Sequence, residues 1–168
     1  MKPHEIFQRM SPALSERIFE HFRTTEKAGY RAAIDQLAPM QKLRPVFIVR
    51  RPKAEQYTWL KTALSRKGAD LLASNVLQVW LVGSQTPLLC AFLDALGIPH
   101  DERGMIEQLP PPPTDAALGS AIDGLLAANE REVVAVYLQA FVGTDDAPWP
   151  NLVARVESDP GLQPGGAG

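Results

Sequence analysis

One cysteine, Cys90, stands in 168 residues, so the chain can form no internal disulfide and holds no CxxC zinc or redox cluster. Long apolar runs are missing too. The two longest, Leu88–Leu93 and Val133–Leu138, are six residues each, against the roughly 20 that cross a bilayer. Histidine is scarce: His4, His21 and His100 are the full set, and neither HExxH nor ExxH occurs. A zinc or di-iron site on helices needs ligands at such spacing. No serine lies in GxSxG, and neither GxGxxG nor GxxxxGK[ST] is present, so the usual nucleophile and nucleotide signatures are lacking. After Met1-Lys2-Pro3-His4-Glu5 no apolar stretch follows a basic one. A secretory signal is therefore not expected, and the chain is read as cytoplasmic. No membrane partner, cofactor, metal or catalytic set is expected.

What is present is ordinary globular composition, 45% hydrophobic and 21% charged, with length enough for one domain and a sizeable core. Proline and glycine punctuate it at helical intervals. Ser11-Pro12 has the cap-then-proline order that opens a helix, and Leu14, Ile18, Phe19 and Phe22 follow at helical spacing. Tyr30, Ala33, Ile34 and Leu37 form a second stripe, expected to end before Pro39. Tyr57, Leu60 and Leu64 mark a helix closed by Gly68, and Leu72, Val76, Val79 and Trp80 one closed near Gly83. Thr86-Pro87 repeats the cap-plus-proline start, with Gly97 as the residue past the helix end. Thr114 caps a stripe of Leu118, Ala121, Ile122 and Leu125; Glu130 to Val142 follows, and Pro150 opens a last helix that Asp159-Pro160 stops.

Two segments stay open on pattern alone. Pro45 to Pro52 encloses Val46-Phe47-Ile48-Val49, β-rich and too short for a helical period. Val133 to Val142 is apolar on every side and reads as a central buried helix, with a buried strand as the alternative. The expected fold is all-α, a compact bundle of about seven or eight helices. Residues 1–160 are expected to form one domain in two lobes, 1–98 and 114–160, joined by a connector at 99–113. Within it Pro110 to Pro113 must be extended. The tail, 161–168, is expected to be mobile unless a neighbour holds it.

Near-neutral net charge, −2, hides a polarity along the chain. Residues 1–41 carry +1, residues 42–67 carry +7 and residues 68–168 carry −10. The middle segment holds Lys42, Arg44, Arg50, Arg51, Lys53, Lys61, Arg66 and Lys67 against Glu55 alone. Such a stretch attracts an anionic partner, or meets the acidic remainder within the fold. On the helix through 53–66, Trp59 lies off the apolar stripe and shares a side with Arg66, an arrangement that stacks on a base or a partner's aromatic ring. Packing in a second core layer is the simpler alternative. A helix-turn-helix fails here, because Ala69 to Leu81 presents no arginine or lysine to bases. Any DNA contact would be to phosphates, weak and without sequence reading.

Pro99-His100-Asp101-Glu102 is the one dense cluster of titratable groups, and a polar turn after the helix explains it without further ligands. Cys90, inside Leu88-Leu89-Cys90-Ala91-Phe92, reads as a small hydrophobe. Leu109 to Pro113 has PxxP spacing but reads as a strap, with Trp149, between Pro148 and Pro150, stapling the last helix. The expected function is a non-enzymatic interaction or regulatory module with a protein partner or self-association. The candidate anion-binding residues are Arg44, Arg50, Arg51, Lys53, Trp59, Lys61, Arg66 and Lys67. The alternatives are a nucleic-acid-associated protein using 42–67, and an enzyme or ligand binder whose site is assembled across the fold.

Overall fold

The computed structural model describes residues 1–143 and 148–165. Among them there is no strand, and the helices number ten. Their contacts divide into two units, Lys2–Trp80 and Leu81–Gly168 with Met1. The division falls inside one helix, and the segment 99–113 that was expected to join two lobes lies within the second unit. No single helix is long and apolar enough to cross a membrane.

The first unit contains α1 (Pro3–Arg9), α2 (Pro12–Thr25), α3 (Lys27–Met40), α4 (Pro45–Val49), α5 (Lys53–Leu64) and most of α6 (Asp70–Ser84). Ser11 opens α2 as expected, its hydroxyl accepting from the Leu14 N–H at 3.2 Å with Pro12 next. The core is a relay of rings: Phe7 stacks on Phe19 at 5.6 Å, Phe19 meets Tyr57 at 6.0 Å, and Tyr57 meets Tyr30 edge-on at 6.4 Å. Such offset and edge-on pairs contribute beyond their buried area. Outside the ring relay, His4 is buried at the start of α1, and its Nδ1 lies 2.7 Å from the Asp70 carboxylate that begins α6.

Ten helices exceed the expected seven or eight because α1 and α4 are too short to show a period. α1 starts on Pro3 and buries Ile6 and Phe7. α4 is the β-rich segment; Pro45 at its first position and burial of Ile48 make it helical despite three β-branched residues. α3 also runs through Pro39 instead of ending before it. In the last turn proline forfeits one hydrogen bond, and the end is closed beyond it. Lys42 takes φ 59°, and N–H groups of Lys42 and Leu43 donate to the carbonyls of Pro39 and Ala38 at 2.9 Å each, a Schellman closure.

The second unit holds the end of α6, then α7 (Thr86–Ala95), α8 (Asp115–Ala128), α9 (Arg131–Gly143), α10 (Pro150–Ser158) and a 3₁₀ turn at Pro160–Leu162. The segment 133–142 is a helix, α9, with every residue from Val133 to Gln139 buried. Thr114 caps α8, and Gly97 at φ 67° closes α7. Thr86 does not cap α7 as expected. Gln85 holds that position, and the Thr86 hydroxyl donates back to the Val82 carbonyl at 2.6 Å. Phe92, Tyr137 and Phe141 form a triangle of edge-on rings with centroids 5.6 to 6.0 Å apart. At the tail, Leu162 is fully buried, and the Gln139 side-chain amide donates to the carbonyls of Val156 and Leu162 at 3.3 Å each. A neighbour therefore holds the first part of 161–168; its last three residues lie outside the described ones.

Candidate interaction surface

Of the eight basic residues in 42–67, seven are exposed and Lys61 is half-buried. Arg44 and Arg50 flank α4 as its N-cap and C-cap, Arg51 follows, and Lys53 begins α5. Arg66 and Lys67 come after α5, in the turn that Gly68 closes with φ 95°. Among the described residues of this unit, none of the eight side chains forms a hydrogen bond or an ion pair within 4 Å. Glu55, the one acid in the segment, is exposed as well.

Trp59 does not join them. It is only 8% exposed, and its indole N–H is buried with no hydrogen-bond partner among the described residues. The ring is spent on the core, so it offers no face for stacking beside Arg66. Leaving such a donor unpaired costs roughly 1–3 kcal/mol. The off-stripe position that suggested a platform instead marks a wide buried arc. Gln56, Trp59 and Ala63 are buried alongside Tyr57, Leu60 and Leu64.

The sequence reading missed the apolar part of this surface. On α4, Ile48 is fully buried, which turns Val46 to the opposite side and Phe47 to a flank. They are 40% and 56% exposed, and Met40 at the end of α3 is 56% exposed. The Arg50 N–H donates to the Val46 carbonyl at 3.2 Å, so the helical path continues through Arg50. Arg50 thus stands one turn beyond Val46, and Arg51 follows past the helix end, its N–H donating to the Ile48 carbonyl at 3.0 Å. The one signal in the sequence is the apolar run Val46-Phe47-Ile48-Val49 itself, which does not say which of its side chains turns inward.

A buried amide sets this turn. The Gln56 side chain donates to the carbonyls of Val49 (3.1 Å) and Arg51 (2.8 Å), and accepts from the Tyr30 hydroxyl at 2.9 Å. Next to it the Tyr57 hydroxyl donates to Glu20 and accepts from Arg23 Nε at 2.9 Å. The Arg23 hydrogen bond, then that of Tyr57, holds the Glu20 carboxyl below its usual range. Burial pushes both phenols, Tyr30 and Tyr57, above theirs. Neutral hydroxyls are what both hydrogen bonds require.

The other candidates resolve into structure. Both ring nitrogens of His100 face acceptors, the Asp101 carbonyl at 2.7 Å and the Asp94 carboxylate at 3.2 Å. The Asp101 carboxylate in turn accepts from the N–H groups of Arg103 and Met105 at 2.9 and 2.8 Å. Gly104 is obligatory there: φ is 70°, and an added Cβ would stand 2.7 Å from the Leu89 Cβ. Glu102 is exposed. Among the described residues no three His, Cys, Asp or Glu converge as a metal site. Cys90 is half-buried, its Sγ 4.0 Å from the Glu102 carbonyl. The Trp149 indole donates to the Pro110 carbonyl at 2.7 Å and the Asn151 amide to that of Pro113 at 2.8 Å, so the proline run is strapped to the start of α10. An open trough of about 480 Å³ lies along Gln108 to Pro112 and Pro148 to Pro150. No protein-family model, curated protein or solved structure matches the chain.

Proposed function

We propose that this chain is a non-enzymatic interaction module whose first unit docks an acidic protein partner through the basic segment 42–67. The carrying observation is that Arg50 and Arg51 stand exposed beside α4, without an ion pair among the described residues of their unit, on a turn fixed by Gln56. Arginine and aromatic side chains dominate the energetics of protein interfaces, and a fixed backbone lowers the entropy lost on binding. Lys42 supports the same reading. It is the one non-glycine residue with positive φ among those described, a conformation costing roughly 1–2 kcal/mol for an L-residue. Glycine would fit there without strain, and what lysine adds is a charge at a helix C-terminus next to Arg44. A cytoplasmic setting belongs to the same proposal, since a lone half-buried thiol needs no oxidising compartment.

Poly-L-glutamate serves as the probe, titrated into the full chain at low and moderate salt. Binding is expected at low salt and should fall as salt rises. The pair Arg50→Glu/Arg51→Glu should weaken it by about tenfold or more. Absence of binding at low salt, or indifference to the double substitution, removes the proposal. Mixed-sequence DNA tests the nucleic-acid reading, which the buried Trp59 leaves with phosphate contacts alone. DNA binding tighter than that of polyglutamate at equal salt would favour it instead.

A further inference from the structure

Acidic partners differ in what else they carry, and α4 is selective about that. Three of the five exposed large hydrophobics among the described residues, Met40, Val46 and Phe47, fall within eight consecutive positions of the basic unit. Scattered apolar side chains on a surface need no explanation, but a cluster rimmed by charge marks an interaction site. Here Arg50 stands one helical turn past Val46 with Arg51 directly after it, and Lys42 and Arg44 come between Met40 and α4. A plain polyanion could satisfy only the rim.

Resting on the proposed docking of an acidic protein, we infer that the partner segment is amphipathic. Its apolar side chains sit on Met40, Val46 and Phe47, and its carboxylates lie against Arg44, Arg50 and Arg51. Charge complementarity names the acidic component, because these guanidiniums have no carboxylate within 4 Å in their own unit. Exposure names the apolar component. Phosphate chains offer nothing to a valine and a methionine. A bilayer offers both components, but interfacial helices bury a long apolar face, whereas α4 has five residues and the exposed face of α3 includes Arg31, Asp35 and Gln36. The Gln56 clamp presents the site preformed, so a short segment is enough for binding.

The experiment uses the full chain and two peptides of equal length and charge, each about twenty residues, the size of one side of an ordinary interface. One alternates glutamate with serine. The other places leucine and phenylalanine at helical spacing among the glutamates. The amphipathic peptide should bind about tenfold tighter, and Phe47→Ser should erase that advantage while leaving the serine peptide unchanged. Phe47 is more than half exposed, so the variant is expected to fold, and circular dichroism checks it; Val46→Ser is the second variant. Equal affinity of the two peptides for the native chain overturns the inference while leaving the acidic-partner reading standing. So does an advantage that survives both substitutions. Phosphatidylserine vesicles that compete more strongly than the amphipathic peptide overturn it in favour of a lipid surface. If neither peptide binds at low salt, the acidic-partner reading itself falls.

Discussion

Lys2–Trp80 carries fourteen basic and seven acidic side chains, whereas Leu81–Gly168 carries three and twelve. The net −2 of the chain is thus the sum of a +7 unit and a −9 unit. They differ inside as well. The first buries His4, Ser15 and Gln56, while among the described residues of the second Gln139 is the one buried polar side chain. Of the exposed large hydrophobics, Met40, Val46, Phe47 and Leu71 belong to the first unit and Met105 to the second. The comparison teaches that charge and uncovered apolar surface travel together here, on a unit that fixes its surface turns with internal hydrogen bonds. The second unit is organised around a helix that is buried all round, and its polar contacts secure loops.

The largest effects test whether the two cores are equivalent. Phe19 and Phe92 are both fully buried among other rings. Truncation of either to alanine should cost about 3–5 kcal/mol, read from urea unfolding with hydrogen exchange to locate the loss. A Phe19→Ala cost well below that of Phe92→Ala would show that the first unit rests more on its hydrogen bonds than on its rings.

The two buried glutamines sharpen the contrast at about 1–3 kcal/mol each, the penalty of leaving buried partners unsatisfied. Gln56→Leu strands the carbonyls of Val49 and Arg51 and the Tyr30 hydroxyl; Gln139→Leu strands that of Leu162, while that of Val156 keeps the Gln163 side-chain amide. Both should lower the unfolding midpoint. Only Gln56→Leu should also weaken polyglutamate binding, because it alone frees the turn that carries Arg50 and Arg51. Equal effects on binding would sever the clamp from the docking surface.

Helical class was legible because proline and glycine punctuate amphipathic stripes, and the stripes of Leu14–Phe22, Tyr30–Leu37 and Leu118–Leu125 face their cores as expected. Helix α9 was legible by length, since a ten-residue stretch that is apolar but for Gln139 is long for a strand. What periodicity could not deliver were elements shorter than two turns, α1 and α4. The basic residues of the site were visible as composition. Its apolar half was hidden by the same β-rich pattern that hid α4, since which of Val46, Phe47 and Ile48 turns inward depends on packing against neighbouring helices. Trp59 misled for a related reason: a stripe of Tyr57, Leu60 and Leu64 gives the centre of a buried arc and not its width.

Lys42 tests whether strain is kept for the sake of charge. Lys42→Gly relieves the positive φ and should stabilise the chain by about 1 kcal/mol, while loosening polyglutamate binding by less than the Arg50/Arg51 pair does. A destabilised variant would mean that the lysine charge at the end of α3 outweighs its backbone cost.

The smallest effects separate the units by the sign of their response to pH. In the first, hydrogen bonding from the His4 ring holds the Asp70 carboxyl below its usual range. A depressed carboxylate adds stability that is present above its unfolded pKa and is lost as pH falls through the folded one. The tie between α1 and α6 should therefore loosen in acid, and Asp70→Asn should flatten that dependence. In the second, the hydrogen bond to the Asp101 carbonyl, then that to the Asp94 carboxylate, raises the His100 imidazole above its usual value. A raised base adds stability that is complete below its unfolded pKa and is lost as pH rises through the folded one. The 99–105 loop should therefore loosen as pH rises past that value, the opposite direction. Both nitrogens facing acceptors is the geometry of a doubly protonated ring, so nitrogen chemical shifts of His100 should report an imidazolium persisting above the ordinary range, and Asp94→Asn should bring its titration back down. A His100 that titrates at or below the ordinary value in the native chain would show that the loop selects the neutral ring, and the opposition between the units would rest on Asp70 alone.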